Sequence, residues 1–383
     1  MCCVGGFDNL AALPPSDWLS LRLTTRGWTS PAALPRLCRS VGRTRRIDSS
    51  EAPLHKRLTF TAAIIIIALA AIPVSARRHR PISIRLKPQL PLRFIAYGDT
   101  RFTDPANTNA ANADVRQQLV RAIADVHPDF VTFGGDIAYN GDKPEDWQVY
   151  DRETGIWRER RIPVYPALGN HDLHGDLSVA LGNYFARFPA LRHNRFYSVR
   201  GANWIMLTLD SALDESSGPQ GRWLHYRLNH LPAGTTFVFI VLHHPPYTSS
   251  SDEKTFGGGH SARPAEQKMA AYLEAKQKTL RARIVVFAGH VHNYERHEHG
   301  GVTYFVTGGG GAHAYPITRV AGDPFQSSEI NYHYLLVEIR RHSVTATMNR
   351  LELKDGVATW TQPDSVTISS IQARSVAKET AAK

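Results

Sequence analysis

Five short polar clusters in this 383-residue chain each follow an apolar run. Asp99 closes "FIAYGD", Asp136 closes "FVTFGGD", and Asn170, His171 and Asp172 follow "VYPALG". His243 and His244 follow "FVFIVL", and His290 and His292 follow "IVVFAG". Carboxylates, an amide and imidazoles are donors for borderline-to-hard metal ions, and the same side chains do general acid–base work. Taken singly, each cluster has a plainer reading. Gly-Asp is ordinary turn chemistry. "GNHD" reads equally as a turn or a helix cap, and "HHPP" as a stiffened loop, since Pro restricts the residue before it. "GHVH" is more pointed. Alternate side chains of an extended segment share a face, and two imidazoles there would repel if protonated, so a metal gives them a role.

Position joins the clusters. Short apolar runs bounded by turn residues read as buried strands, and ligands of open α/β sheets gather outside the carboxyl ends of strands. Five strand ends, distant in sequence, can therefore converge on one site. From residue 93 the chain alternates accordingly. "RFIAYGD" and "FVTFGGD" flank a helix whose Val115, Leu119, Val120, Ile123 and Val126 recur at helical spacing, with Pro128 stopping it. "IPVYPALGNHD" reads as a third strand, pushed to an edge by Pro163 and Pro166. A hairpin turning at Gly201-Ala202-Asn203 follows, then the helix "RWLHYRLNHL", the strand "TFVFIVLHH" and a helix from Arg263. "IVVFAGH", "VTYFVTGGGG", "YHYLLVEIRR" and "SVTATMNRLEL" complete the strands. The fold class is α/β with mixed sheets.

Composition narrows the chemistry. All three cysteines (Cys2, Cys3, Cys38) precede residue 76, which excludes a disulfide framework or a thiolate metal site beyond it. A transition metal there must use His, Asp, Asn, Glu or Tyr. The net charge is +11, of which residues 1–76, with nine Lys/Arg against four Asp/Glu, supply five. The remainder is mildly basic, which suits anionic substrates; without a dense Lys/Arg stripe, no specific nucleic-acid binding is expected. Residues 1–57 read as an unstructured or non-native extension. Residues 58–76 read as a signal peptide or membrane anchor, with His55, Lys56 and Arg57 before an apolar core and Val74-Ser75-Ala76 after it. The core is shorter than the roughly 20 residues of a spanning helix, and Arg77, Arg78 and Arg80 follow at once. The true start is expected downstream of Met1. Residues 77–92 are a lead-in, 93–355 the catalytic domain and 356–383 a C-terminal strand and tail.

The series "GDTR", "GGDIAYN", "GNHD", "VLHHPPY" and "GHVHNYER" resembles the calcineurin-like metallophosphoesterase superfamily over about residues 93–315. The Tyr three residues after the second Asp, and the last string, look most like purple acid phosphatases. The resemblance implies mixed sheets sandwiched between helices in an α/β/β/α architecture, with the metal site at the C-terminal strand ends. It implies two metal ions, iron paired with zinc, manganese or iron. Asp99, Asp136, Tyr139 and His292 would hold one ion; Asp136, Asn170, His244 and His290 would hold the other. His244 is preferred because the family's His-x-Pro spacing falls on His244-Pro245-Pro246, leaving His243 behind it. A bridging carboxylate offsets the repulsion between ions roughly 3.5–4 Å apart.

His171 would then contact substrate and protonate the leaving group, and Arg101 and His260 would bind substrate. Arg101 stands where many members carry a metal-binding His or a Gly, and a surface salt bridge is its alternative role. Lys254 occupies the position of a further active-site His of plant-type enzymes. The separate β domain of large plant enzymes does not fit between Ala76 and Leu92. "TGGGGAH", ending at His313, is expected as a tight loop beside the site. The expectation is an exported hydrolase, periplasmic or extracellular and tethered if residues 58–76 are retained, acting on small phosphate monoesters with water activated at a dinuclear centre. Its alternatives are a phosphodiesterase or nucleotide pyrophosphatase, and a non-catalytic phosphate- or metal-binding protein.

Overall fold

The computed structural model describes residues 81–250 and 260–372. The expected extension, the apolar segment 58–76 and residues 373–383 of the tail lie outside the described residues. In chain order the elements begin β1 (Ser83–Arg85), β2 (Leu92–Tyr97), α1 (Ala113–Val126), β3 (Phe130–Phe133), α2 (Pro144–Glu153), α3 (Gly155–Glu159) and α4 (Leu177–Arg187). Next come β4 (Tyr197–Arg200), β5 (Trp204–Thr208), α5 (Gly218–Asn229), β6 (Phe237–Val241), α6 (Pro264–Gln277) and β7 (Arg283–Ala288). β8 (Tyr294–His299), β9 (Val302–Thr307), β10 (Tyr332–Ile339), β11 (Ser343–Lys354), β12 (Val357–Thr361) and β13 (Ser365–Ser369) complete the set.

The strands form two mixed sheets. One runs β1-β4-β5-β6-β7-β9-β8; the other runs β12-β11-β10-β2-β3, with β13 also paired to β11. Strand alternation explains the layering. Phe94 of β2 stacks on Phe130 of β3 (centroids 4.9 Å apart) and meets Phe239 of β6 and Phe287 of β7 edge-on at 5.4 and 5.8 Å. Those rings cement sheet to sheet. The alternate residues Val238, Ile240 and Val286 face outward onto Leu224 and Leu228 of α5 and Met269 and Leu273 of α6. On the far side α1 buries Val115, Leu119, Val120 and Ile123, as its spacing predicts, and ends one residue before Pro128 at a left-handed His127. The result is helix, sheet, sheet, helix, the expected α/β/β/α sandwich. Among the described residues no helix is long and apolar enough to cross a membrane.

Two expectations need correction. The segment "IPVYPALG" is not a strand, apart from a single bridge between Val164 and Val131. It runs along β3 and exchanges bonds with it: Val131 N donates to Pro163 O, and Tyr165 N and Ala167 N donate to Val131 O and Phe133 O, all at 2.9 Å. Pro163 and Pro166 have no N–H with which to extend a ladder, so the segment stays an irregular edge. Conversely, Tyr294–His299, absent from the expected strands, forms the edge strand β8, which pairs with β9 along its whole length. Its charged residues hid it; the turn at Gly300-Gly301, where both residues have positive φ, was the available hairpin signal.

Candidate metal centre

The two sheets deliver their polar strand ends to one place. β2 and β3 of one sheet carry Asp99 and Asp136, and β6 and β7 of the other carry His243 and His290. Glycines let these ends meet. A Cβ on Gly289 would lie 2.4 Å from Asp99 Oδ2 and 2.7 Å from Gly134 O, and one on Gly134 would lie 3.0 Å from Gly289 N. Asp99, Asp136 and His290 all have left-handed backbones (φ 60°, 54° and 71°). Such conformations cost a non-glycine residue about 1–3 kcal/mol and gather at functional sites, where they aim side chains. Here the turn lets His290 N donate to both Asp99 oxygens, at 3.0 and 2.9 Å. The loop of Gly308–Gly311 closes over the same residue, with Ala312 N donating to Asp99 O at 2.8 Å.

The imidazoles are oriented by backbone carbonyls. Nδ1 of His243 lies 2.7 Å from Gly134 O, Nδ1 of His292 2.7 Å from His313 O, and Nδ1 of His171 2.7 Å from Tyr139 O. A carbonyl only accepts, so each Nδ1 carries the proton and, in a neutral ring, each Nε2 presents a lone pair. Burial holds all three rings below the usual histidine range, His171 to about 4, which keeps them in the neutral, ligating form. The lone pairs point inward. Nε2 of His243 faces Asn170 Oδ1 at 2.9 Å, His290 Nδ1 at 3.1 Å and Asp136 Oδ1 at 3.3 Å. Nε2 of His292 is buried without a hydrogen-bond partner, 3.7 Å from Asp99 Oδ1. Electron-pair donors gathered in this way suit a cation between them. Two groups, Asp99–Asp136–His243 and His243–His244–His290, each bring their ligand atoms within 4.8 Å and share His243. The residues present therefore fit the metals that the sequence motifs imply.

The carboxylates differ. Burial and the neighbouring Asp136 hold Asp99 well above the usual range. Asp136, equally buried, is pulled below it against the cost of desolvation, with the Arg101 guanidinium at 3.3 Å and the His171 N–H at 2.9 Å among the causes. Arg101 reaches Asp136 Oδ2 at 3.3 Å with its side chain 13% exposed, so the alternative of a surface salt bridge is replaced by a buried pair at the site.

The structure gathers Asp99, Arg101, Asp136, Asn170, His171, His290, His292 and also His260, whose ring lies 4.9 Å from His290 and 5.4 Å from His292. Tyr139 comes to the rim. Its ring lies on that of His171 at 5.3 Å, and its side chain makes no hydrogen bond among the described residues. The expectation for His244 is revised. His243, not His244, adjoins Asp136 and Asn170; His244 turns toward Ser211, with Nδ1 2.8 Å from its Oγ. His-x-Pro spacing fits His243-His244-Pro245 equally well, so the motif could not choose. Two contributors were not anticipated. Asp172 is fully buried and accepts from Ile137 N, Ala138 N and Gly169 N at 2.9, 3.0 and 2.9 Å, stapling the loops of Asp136 and Asn170 together. Tyr315 OH accepts from His292 N at 3.3 Å; nothing in its sequence neighbourhood marks it.

A two-sheet sandwich with this donor set at its strand ends defines a phosphoesterase fold, and the family model for calcineurin-like phosphoesterase matches residues 92–294. The chain belongs to that family. Within it the chain is related to the purple acid phosphatases. It is 26% identical to purple acid phosphatase 5 of Arabidopsis thaliana over 239 residues, covering 61% of this chain and 52% of that protein. It is 28% identical to a phosphoenolpyruvate phosphatase of Allium cepa over 211 residues, covering 49% and 40%. The chain thus spans about half the length of the curated relatives it matches. Among solved structures, purple acid phosphatase PPD1 from yellow lupin (Lupinus luteus) seeds superposes with a TM-score of 0.53 at 18% identity, covering 73% of this chain and 53% of that one, a likeness of fold.

Proposed function

We propose that this chain hydrolyses phosphate monoesters at a centre of two metal ions. The observation that carries the reading is the convergence of the His243 Nε2 lone pair, Asn170 Oδ1, Asp136 Oδ1 and His290 Nδ1 on one point, beside the unpartnered Nε2 of His292. Asp99, Asp136, Tyr139 and His292 hold one ion; Asp136, Asn170, His243 and His290 hold the other, with His243 taking the place expected of His244. Imidazole and carboxylate donors suit iron, zinc and manganese. Ions there supply Lewis acidity, drawing charge from phosphate oxygens and acidifying water.

The protein's own groups do the rest. Arg101 offers a forked donor to phosphate oxygens on leaving Asp136. His171 presents Nε2 to the site, 4.0 Å from Asp136 Oδ2, and is fixed by the Tyr139 carbonyl and by His174, whose ring lies 4.2 Å away. The Nε2 of His171, turned toward the site, is the group placed to give a proton to the leaving oxygen. In the reaction the bond from phosphorus to the ester oxygen breaks and one from phosphorus to a water oxygen forms. One water proton ends on the released alcohol. Export through residues 58–76 belongs to the same proposal and rests on sequence alone.

Elemental analysis with a phosphoester panel tests it. About two metal ions per chain and faster turnover of p-nitrophenyl phosphate than of its bis-ester are expected. His243→Ala should lose metal while His244→Ala retains it. Metal-free purified protein, or a bis-ester preference, refutes the monoesterase reading.

A further inference from the structure

Two cavities share Tyr315 as a wall. One, of about 440 Å³, contains Arg101, His260 and His292 and belongs to the metal centre. The other, of about 390 Å³, adjoins Tyr315 and is lined by Ser249, Ser250, Pro316, Ile317, Thr318 and Ser328. Its chemistry differs. Among the described residues no Lys, Arg, His, Asp or Glu lines it, so none of them neutralises a second phosphate or a carboxylate there. It offers hydroxyls, each both donor and acceptor, around an aromatic ring whose face suits the C–H side of a sugar or polyol. The hydroxyls of Thr318 and Ser328 make no hydrogen bond among the described residues, and both residues are exposed at the mouth.

The wall is braced from below by the part of "GHVHNYERH" that the metal site leaves unused. Glu295 accepts from Thr248 Oγ1 and Ser249 N, both at 2.6 Å. His297 Nδ1 lies 3.1 Å from Asp323 Oδ1, and Ser249 Oγ donates to the other oxygen of that carboxylate. Tyr315 is tied to the ligand strand through His292 N on its hydroxyl and Asn293 Nδ2 on its carbonyl. A rigid, uncharged, hydroxyl-lined pocket therefore stands beside the phosphate site.

We propose that this cavity is the leaving-group subsite and takes an uncharged polyhydroxylated alcohol, which makes sugar or polyol monophosphates the preferred substrates. The proposal rests on the monoesterase reading above. The test compares glucose 6-phosphate, n-hexyl phosphate and p-nitrophenyl phosphate on the metal-loaded enzyme and on the double variant Thr318→Val/Ser328→Ala. Glucose 6-phosphate should exceed hexyl phosphate in kcat/KM by about tenfold, as one or two added hydrogen bonds would give. The double variant should erase most of that preference, raising KM for glucose 6-phosphate far more than for n-hexyl or p-nitrophenyl phosphate. Turnover of p-nitrophenyl phosphate with equal kcat/KM for the other two esters overturns the subsite and spares the monoesterase reading. So does a double variant that slows all three alike. Turnover of none of them overturns both.

Discussion

Replacing Asp172 with Asn keeps the shape of the side chain and changes only what it can accept. The buried carboxylate takes three backbone N–H groups at 2.9–3.0 Å, two on one oxygen and one on the other. In its best orientation an Asn oxygen keeps Ile137 and Ala138, and its amide then points N–H at the N–H of Gly169. One hydrogen bond is lost and a buried donor is orphaned, an overlapping cost of about 1–3 kcal/mol. There is an offset, because burial and the nearby Asp136 push Asp172 up to about 8, and a neutral side chain escapes that strain. The net expectation is about 2 kcal/mol, or a melting point lower by roughly 4 °C in a domain of this size. Thermal melts of chelator-treated protein at pH 7 measure it, with Asp176→Asn as control. Asp176 caps α4 through Ser178 N and Val179 N, and an Asn can keep that cap. An Asp172→Asn protein melting with or above wild type, or a control falling equally far, refutes the reasoning.

Two further outcomes follow from geometry. Gly289→Ala should cost about 1–3 kcal/mol and lower metal content, because its Cβ meets an Asp99 oxygen that the His290 N–H holds in place. Gly182→Ala, where the added Cβ meets nothing within 4 Å inside α4, should raise stability by about 0.5–1 kcal/mol, both variants being measured by urea titration. His333 is fully buried, and desolvation leads in holding it down to about 4, with Nε2 3.1 Å from Thr307 Oγ1. The unfolded ring takes a proton first as pH falls, so its stability contribution is complete above about 6.5 and is lost toward pH 4, at most about 3.4 kcal/mol. His333→Gln should lose less stability over that window than wild type; an identical pH dependence in the two proteins overturns the assignment.

The layers and most strands were legible because buried strands are continuous apolar runs, and much of the candidate site was legible because Asp99, Asp136, His243 and His290 each closely follow one. Spacing could not see what acts across the fold. Asp172 sits inside a recognised motif, yet its role exists only because the Ile137 and Gly169 backbones arrive from separate strand ends. The choice between His243 and His244 turns on which ring faces Asp136, a placement that two adjacent identical residues cannot encode. β8 escaped because an edge strand under a polar cluster carries Glu, Arg and His in place of an apolar alternation.

The position of β2 has a consequence for biosynthesis. The last residue of the donor set is His292, and the family match ends at 294. Yet β2, which carries Asp99, lies between β3 and β10, and β10 in turn lies against β11. A nascent chain that has displayed every ligand still lacks the strand that flanks one of them, until residues 332–339 emerge from the ribosome. A fragment cut at the last motif would thus carry every motif of the family while leaving one edge of β2 without its partner strand.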